Sequence, residues 1–219
     1  MLRVEQVRKI FTTRHGPVRA LDGVDLQIAK GEFLVIRGAS GSGKTTLLMI
    51  LGAMQQPTQG KVISQDIDIY ALNPAERARF RAENIGFVFQ MFHLVPYLTI
   101  LENVMLAAGN GNHKSSEKEA LILLERLNLS DRIDHKPADL STGQRQRAAI
   151  ARALITKPKV ILADEPTGNL DPENADDVMA YLHGFHQNGG TVIVVTHTAV
   201  ADQYADRIIH LRDGRIDNP

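Results

Sequence analysis

The stretch GASGSGKTT, residues 38–46, decides the reading of this 219-residue chain. Gly38, Gly43, Lys44 and Thr45 fit the pattern G-x-x-x-x-G-K-[ST]. Just before it, FLVIRG (Phe33–Gly38) reads as a short buried strand. Just after it, TTLLMILGAM reads as a helix with an apolar face that ends near Pro57. Glycines allow backbone N–H groups to approach an anion with no Cβ in the way. The helix that follows points its partial positive end at the same anion. Lys44 adds a point charge suited to β/γ-phosphates, and the Thr45 hydroxyl suits Mg²⁺. A floppy Gly/Ser turn would need neither the strand nor the helix. Gly38, Ala39, Ser40, Gly41, Ser42, Gly43, Lys44, Thr45 and Thr46 are therefore expected to form a cradle for a nucleoside triphosphate.

Two more all-apolar runs lie downstream, VILADEP (Val160–Pro166) and TVIVVTH (Thr191–His197). Short apolar runs separated by helical patterns are how parallel strands covered on both faces look. The fold class is α/β, with a P-loop NTPase core built on a mostly parallel sheet. The opening to about Ile28 alternates apolar and polar residues, as half-exposed antiparallel strands do. GKVISQDIDIY and NIGFVFQ continue the strand signals. From about 91 to 152 the texture is helical. There SSEKEALILLERLNL places Leu121, Leu124 and Leu127 at helical spacing, with Ser116 as a candidate N-cap. AAGNGNHKSS reads as a surface loop. The whole of 1–219 is expected to be a single domain with a helical subdomain.

Composition narrows the class. Hydrophobic residues make up 43% and charged residues 23%, as in an ordinary globular protein. The 25 basic and 25 acidic residues balance, so no nucleic-acid partner held by net charge is implied. Without cysteine there is no disulfide scaffold and no thiolate metal site. The N-terminus lacks a signal-peptide core, and no window approaches the ~18 apolar residues of a membrane span. A cytoplasmic chain is expected, with any membrane spans supplied by another protein.

The run VILADEP places Asp164 and Glu165 at the end of a buried strand. Adjacent carboxylates there suit metal holding by Asp164 and water activation by Glu165. A kinase would instead position an acceptor hydroxyl, so the pair favours hydrolysis; the plain alternative is an ordinary acidic turn closed by Pro166.

LSTGQRQRAAIARAL, Leu140–Leu154, resembles the signature motif of ATP-binding cassette (ABC) ATPases, and it stands just before VILADEPTGNLD as that family requires. Gln90 resembles the family's Q-loop glutamine, Asn169–Asp171 its D-loop, and His197 its switch histidine. Phe11 falls where the family has an aromatic that stacks on adenine. The likeness covers essentially the whole chain. FVFQMFHLVPYLTILENV and ADEPTGNLD further resemble the ATPase subunits of lipoprotein-release and macrolide-export systems.

The resemblance implies two cassettes bound head to tail around two ATP molecules with Mg²⁺. Ser141, Gly143, Gln144 and Asp171 would then serve the partner's nucleotide. Glu165 would polarise water, and His197, Lys44 and Gln90 would complete the catalytic set. Thr45, Gln90 and Asp164 would face the metal. It also implies a membrane permease docked on residues 90–104, with the chain peripheral on the inner face of the membrane. One departure is Thr142, where the family usually has glycine. Chromosome-maintenance ATPases share cradle and signature but insert long coiled coils between them; here fewer than a hundred residues separate Lys44 from Ser141, without heptads. A nucleotide-dependent regulator without turnover would not need Glu165, and duplicated-cassette translation factors would need a second cassette.

Overall fold

The computed structural model describes residues 1–109 and 113–217. In chain order its strands and helices are β1 (Leu2–Thr13), β2 (Gly16–Ile28), β3 (Phe33–Arg37), α1 (Lys44–Leu51), β4 (Gln59–Ser64) and β5 (Ile67–Asp68). Next come α2 (Pro74–Asn84), β6 (Ile85–Phe89), α3 (Ile100–Met105), α4 (His113–Arg126) and α5 (Thr142–Leu154). The last are β7 (Val160–Asp164), α6 (Pro172–Gln187), β8 (Thr191–Thr196), β9 (Arg207–Arg212) and β10 (Arg215–Asp217).

The strands form two sheets, one of order β2-β1-β4-β5 and one of order β10-β9-β3-β8-β7-β6. The first is antiparallel throughout. In the second, β9, β3, β8, β7 and β6 run parallel, and β10 is an antiparallel edge. The apolar runs are unbroken because both faces of the parallel sheet are covered. Phe33, Val35, Ile161, Ala163, Val192 and Val194 pack in one cluster with Ile150 of α5 and Val178 of α6. Leu34, Ile36, Leu162, Ile193 and Val195 pack in the other, with Leu47 and Leu51 of α1 and the antiparallel sheet. The period-2 alternation of β3, β7 and β8 thus divides side chains between two cores.

Some expectations shift at element ends. Helix α1 stops at Leu51, well before Pro57, because Gly52 caps it. A Cβ at Gly52 would lie 1.9 Å from the Phe87 ring, so glycine is required where the chain passes β6. Ser116 is not an N-cap: α4 begins at His113. The buried stripe of α4 is Ala120 and Leu124, continued by Leu127 just past its end, while Leu121 is 38% exposed. Of the expected surface loop, residues 110–112 lie outside the described residues, 107–108 belong to a 3₁₀ turn and 113–116 to α4. Between Gln90 and β7 the described elements are helical, namely α3, α4, α5 and short 3₁₀ turns. Among the described residues no helix is long and apolar enough to cross a membrane.

Candidate active site

Four neighbouring strands end at one edge of the parallel sheet. The glycine loop leaves β3, Gln90 follows β6, Asp164 ends β7, and His197 follows β8. Residues up to about 160 positions apart are brought together by parallel register alone, Arg37 beside Thr196 and Phe89 beside Asp164. The carboxyl ends of strands in an open α/β sheet are where ligands bind.

The loop is shaped, not slack. Gly41 and Gly43 have φ of +80° and +103°, where an L side chain would be strained. A Cβ on Gly43 would meet the Ala20 carbonyl at 2.3 Å, and one on Gly38 the Leu211 carbonyl at the same distance. Gly43 occupies the N-cap of α1 and no side chain caps that helix, so its first-turn N–H groups remain for an anion. Lys44, 7% exposed, donates from Nζ to the carbonyls of Gly38 and Ala39 at 2.7 and 3.0 Å. The buried Ser42 hydroxyl has no partner within the loop.

The carboxylates hold distinct posts. Asp164 Oδ1 accepts from the Thr45 hydroxyl at 3.1 Å. Burial raises the Asp164 pKa above the ordinary carboxylate value; the Thr45 hydrogen bond opposes the shift, and the Glu165 charge adds to it. Glu165 sits in the left-handed region at φ +45°. Its Oε2 accepts from the Thr196 hydroxyl at 2.9 Å, and its Oε1 meets His197 Nδ1 at 2.9 Å. Lys44 Nζ stands 3.9 Å from Oε1. Such a carboxylate is held in place and aimed into the cleft, as a general base must be. Gln90 Nε2 reaches Asn169 Oδ1 at 3.5 Å, and the Asn169 amide donates to the Gln90 carbonyl at 3.2 Å.

A cleft of about 620 Å³ joins these groups: Ala39, Ser40, Gly41, Gly43, Lys44, Thr45, Thr46, Gln90, Asp164, Glu165 and His197 all line it. Val18, Arg19 and Ala20 of β2 complete the wall, and the sequence reading missed all three. Phe11 does not line this cleft; it pairs across the sheet with Val18, and Lys9 Nζ lies 5.1 Å from its ring centroid. The strand pairing β1–β2 was legible, but its register was not. Thr196 was missed as well, although a hydroxyl ending an all-apolar run is a readable signal.

The signature residues lie elsewhere. Ser141 caps α5: its Oγ accepts from Gln144 N–H at 3.2 Å, and Gln144 Oε1 accepts from Ser141 N–H at 3.0 Å. Thr142 is the first residue of α5, so the departure from glycine falls at an ordinary helical position. Gly143 must lack a side chain, since a Cβ there would come within 1.9 Å of Asn174 Oδ1 on α6. Asp171 caps α6 by accepting from Asn174 N–H at 2.9 Å, and hydrogen bonds from Asn174 lower its pKa. None of Ser141, Gly143, Gln144 and Asp171 lines the cleft of its own chain.

Hard oxygen donors at Thr45 and Asp164 suit Mg²⁺, which keeps several waters and takes few protein ligands. Among the described residues there is no cluster of three His, Cys, Asp or Glu that would hold a metal unaided. The glycine contacts and the uncapped helix end suit a phosphate chain.

Known proteins resemble this chain in sequence and in fold. Residues 21–168 match the family described as ABC transporter. A macrolide export ATP-binding/permease protein, MacB of Brucella melitensis, is 46% identical over 99% of this chain and 34% of its own length. The chain thus spans about a third of the macrolide exporters it matches. The lipoprotein-releasing system ATP-binding protein LolD of Acinetobacter baylyi is 44% identical over 98% of this chain and 96% of its own. Among solved structures, a dimeric post-hydrolysis state of the ATP-binding cassette MJ0796, bound to ADP and Pi, superposes with a TM-score of 0.93. It is 40% identical and covers 100% of this chain and 97% of that one. With its cleft, its capped signature helix and these relatives, the chain belongs to the ABC transporter family, as one of its ATP-binding, ATP-hydrolysing cassettes.

Proposed function

We propose that two copies of this cassette close head to tail on two Mg²⁺–ATP molecules and thereby power a membrane permease. The observation that carries this reading is the post of Glu165. Its carboxylate is fixed by Thr196 and His197, beside Lys44 and next to the Asp164–Thr45 pair. Lys44 and the α1 N-terminus would hold the β/γ-phosphates. Thr45 and Asp164, with Gln90 at the rim, would hold Mg²⁺, which when bound neutralises phosphate charge. Glu165 would take a proton from the attacking water, and His197 would steady the carboxylate and the γ-phosphate. Phe11, just outside the cleft beside its cross-strand partner Val18, would stack on the adenine of a bound nucleotide. From the opposite copy, the Ser141 hydroxyl, the Gly143 amide, Gln144 and Asp171 would complete each site.

The permease would dock on residues 90–104, where Met91 and Tyr97 are 68% and 74% exposed while Ile100 and Val104 anchor the segment in the core. The chain would then be one domain, cytoplasmic and peripheral on the inner face of the membrane, with residues 91–152 as its helical part. The relatives' names point to lipoprotein release or macrolide export as the kind of system served. The test is Glu165→Gln. ATP affinity is expected to hold, phosphate release to fall by at least about 10²-fold, and light scattering to show a dimer with ATP. Hydrolysis near the parent rate would refute the assignment of the base.

A further inference from the structure

The segment that follows Gln90 is fastened to the signature helix in a way the mechanism above does not use. Phe92 and His93 have φ of +57° and +49°, a left-handed pair that L residues adopt only where their surroundings hold them. What holds them is α5. Arg152, in its last turn, donates from Nη2 to the Phe92 carbonyl at 2.6 Å and from Nη1 to the His93 carbonyl at 2.5 Å. Arg145, two turns earlier on the same face, places its guanidinium 5.6 Å from the Phe92 ring centroid. The His93 ring meets Phe89 of β6 edge-on at 4.9 Å. Burial disfavours the charged form of Arg152, so its partners must compensate that cost. On the other side, Gln90 is tied to Asn169 ahead of α6.

We infer that Arg152 is a positioning residue: with Arg145 it locks residues 92–93 to α5, so that Gln90 in the cleft and Ser141 at the far end of α5 move as one body. A nucleotide contact at Gln90 would then set the presentation of Ser141 to the second copy. The lock is rigid because a planar guanidinium bridging two consecutive carbonyls fixes orientation as well as distance. It touches no nucleotide, so it should govern dimerisation without governing binding. This inference rests on the ATP-sandwich reading above.

The test places Arg152→Gln in a Glu165→Gln chain and compares it with Glu165→Gln alone. ATP affinity, melting temperature and the ATP concentration at half-dimerisation are measured. Affinity is expected to stay within about twofold, while the half-dimerisation concentration rises about tenfold, in the ordinary range of coupling between sites. Arg152→Lys, which keeps the charge but cannot bridge both carbonyls in one plane, should fall between the two, and serves in place of Arg152→Gln if that chain does not fold. Unchanged dimerisation in the variant that folds, or affinity and dimerisation falling together, would overturn the inference. A Glu165→Gln chain that stays monomeric with ATP would overturn the proposed function and this inference with it.

Discussion

Two helix N-termini of this chain are built in opposite ways. Helix α1 begins at Gly43 with no side-chain cap, and its N–H groups open into the cleft. Helix α5 begins at Ser141 with a complete capping box, closed on itself by Gln144. The first presents uncapped N–H groups that suit an anion. The second is locally satisfied, yet the Ser141 hydroxyl uses only a lone pair to accept from Gln144 and keeps its proton to donate. The difference suggests a division of labour. The cradle end binds nucleotide within one chain, while the signature end recognises what a second copy presents.

By that division, damage to the cradle should weaken nucleotide binding itself. Lys44→Ala removes a charge that sits at 3.9 Å from Glu165 within the cleft wall. ATP affinity, read by titration calorimetry, is expected to fall about 10- to 100-fold, the worth of a charge-assisted hydrogen bond. An affinity unchanged by this substitution would erase the contrast between the two ends.

Damage to the signature end should spare the monomer's affinity. Gly143→Val forces a side chain into Asn174, and overpacking of this kind typically costs about 1–3 kcal/mol. Thermal melting should show that loss, with ATP binding retained in the folded fraction and ATP-dependent dimerisation lost. Retained dimerisation would mean that the α5–α6 contact is irrelevant to assembly. Ser141→Ala is a gentler probe of the same end. Loss of an N-cap costs about 1 kcal/mol, so melting should shift by a few degrees while dimerisation weakens more than stability does.

The smallest effect concerns Asp164 and sharpens the contrast by pH. Its pKa is raised in the fold, so the ionised group opposes folding at neutral pH, and that opposition fades as pH falls through the raised value. Asp164→Asn should therefore leave the nucleotide-free chain as stable or slightly more stable at pH 7, with the gain vanishing in acid, while Mg²⁺-dependent hydrolysis is lost. A lower melting temperature at pH 7 would show that the carboxylate is a net support of the fold.

How much of this was legible depended on the reach of each interaction. The glycine loop and the three apolar strand runs follow from bonds and steric limits within a few residues, and the α/β class and cradle could be read directly; the Ser141 cap is equally local, yet it was seen only in the structure. Of the three leucines read at helical spacing, Leu124 and Leu127 are buried, while Leu121 is exposed and its neighbour Ala120 meets the core instead. Ser116 looked like a cap because serine favours that post, yet the helix starts three residues earlier.

By itself, the sequence determined the period-2 strands covered on both faces, the backbone freedom of Gly41 and Gly43, and the local caps of α5 and α6. Only the tertiary structure decided that Val18 and not Phe11 lines the cleft, and that Thr196 holds Glu165. It alone set Arg152 against the Phe92 and His93 carbonyls, sixty residues away along the chain. Caps and loops are fixed by hydrogen bonds between residues three or four apart. Strand register and helix-to-loop contacts are fixed by which distant surfaces pack together, and no short stretch of sequence carries that information.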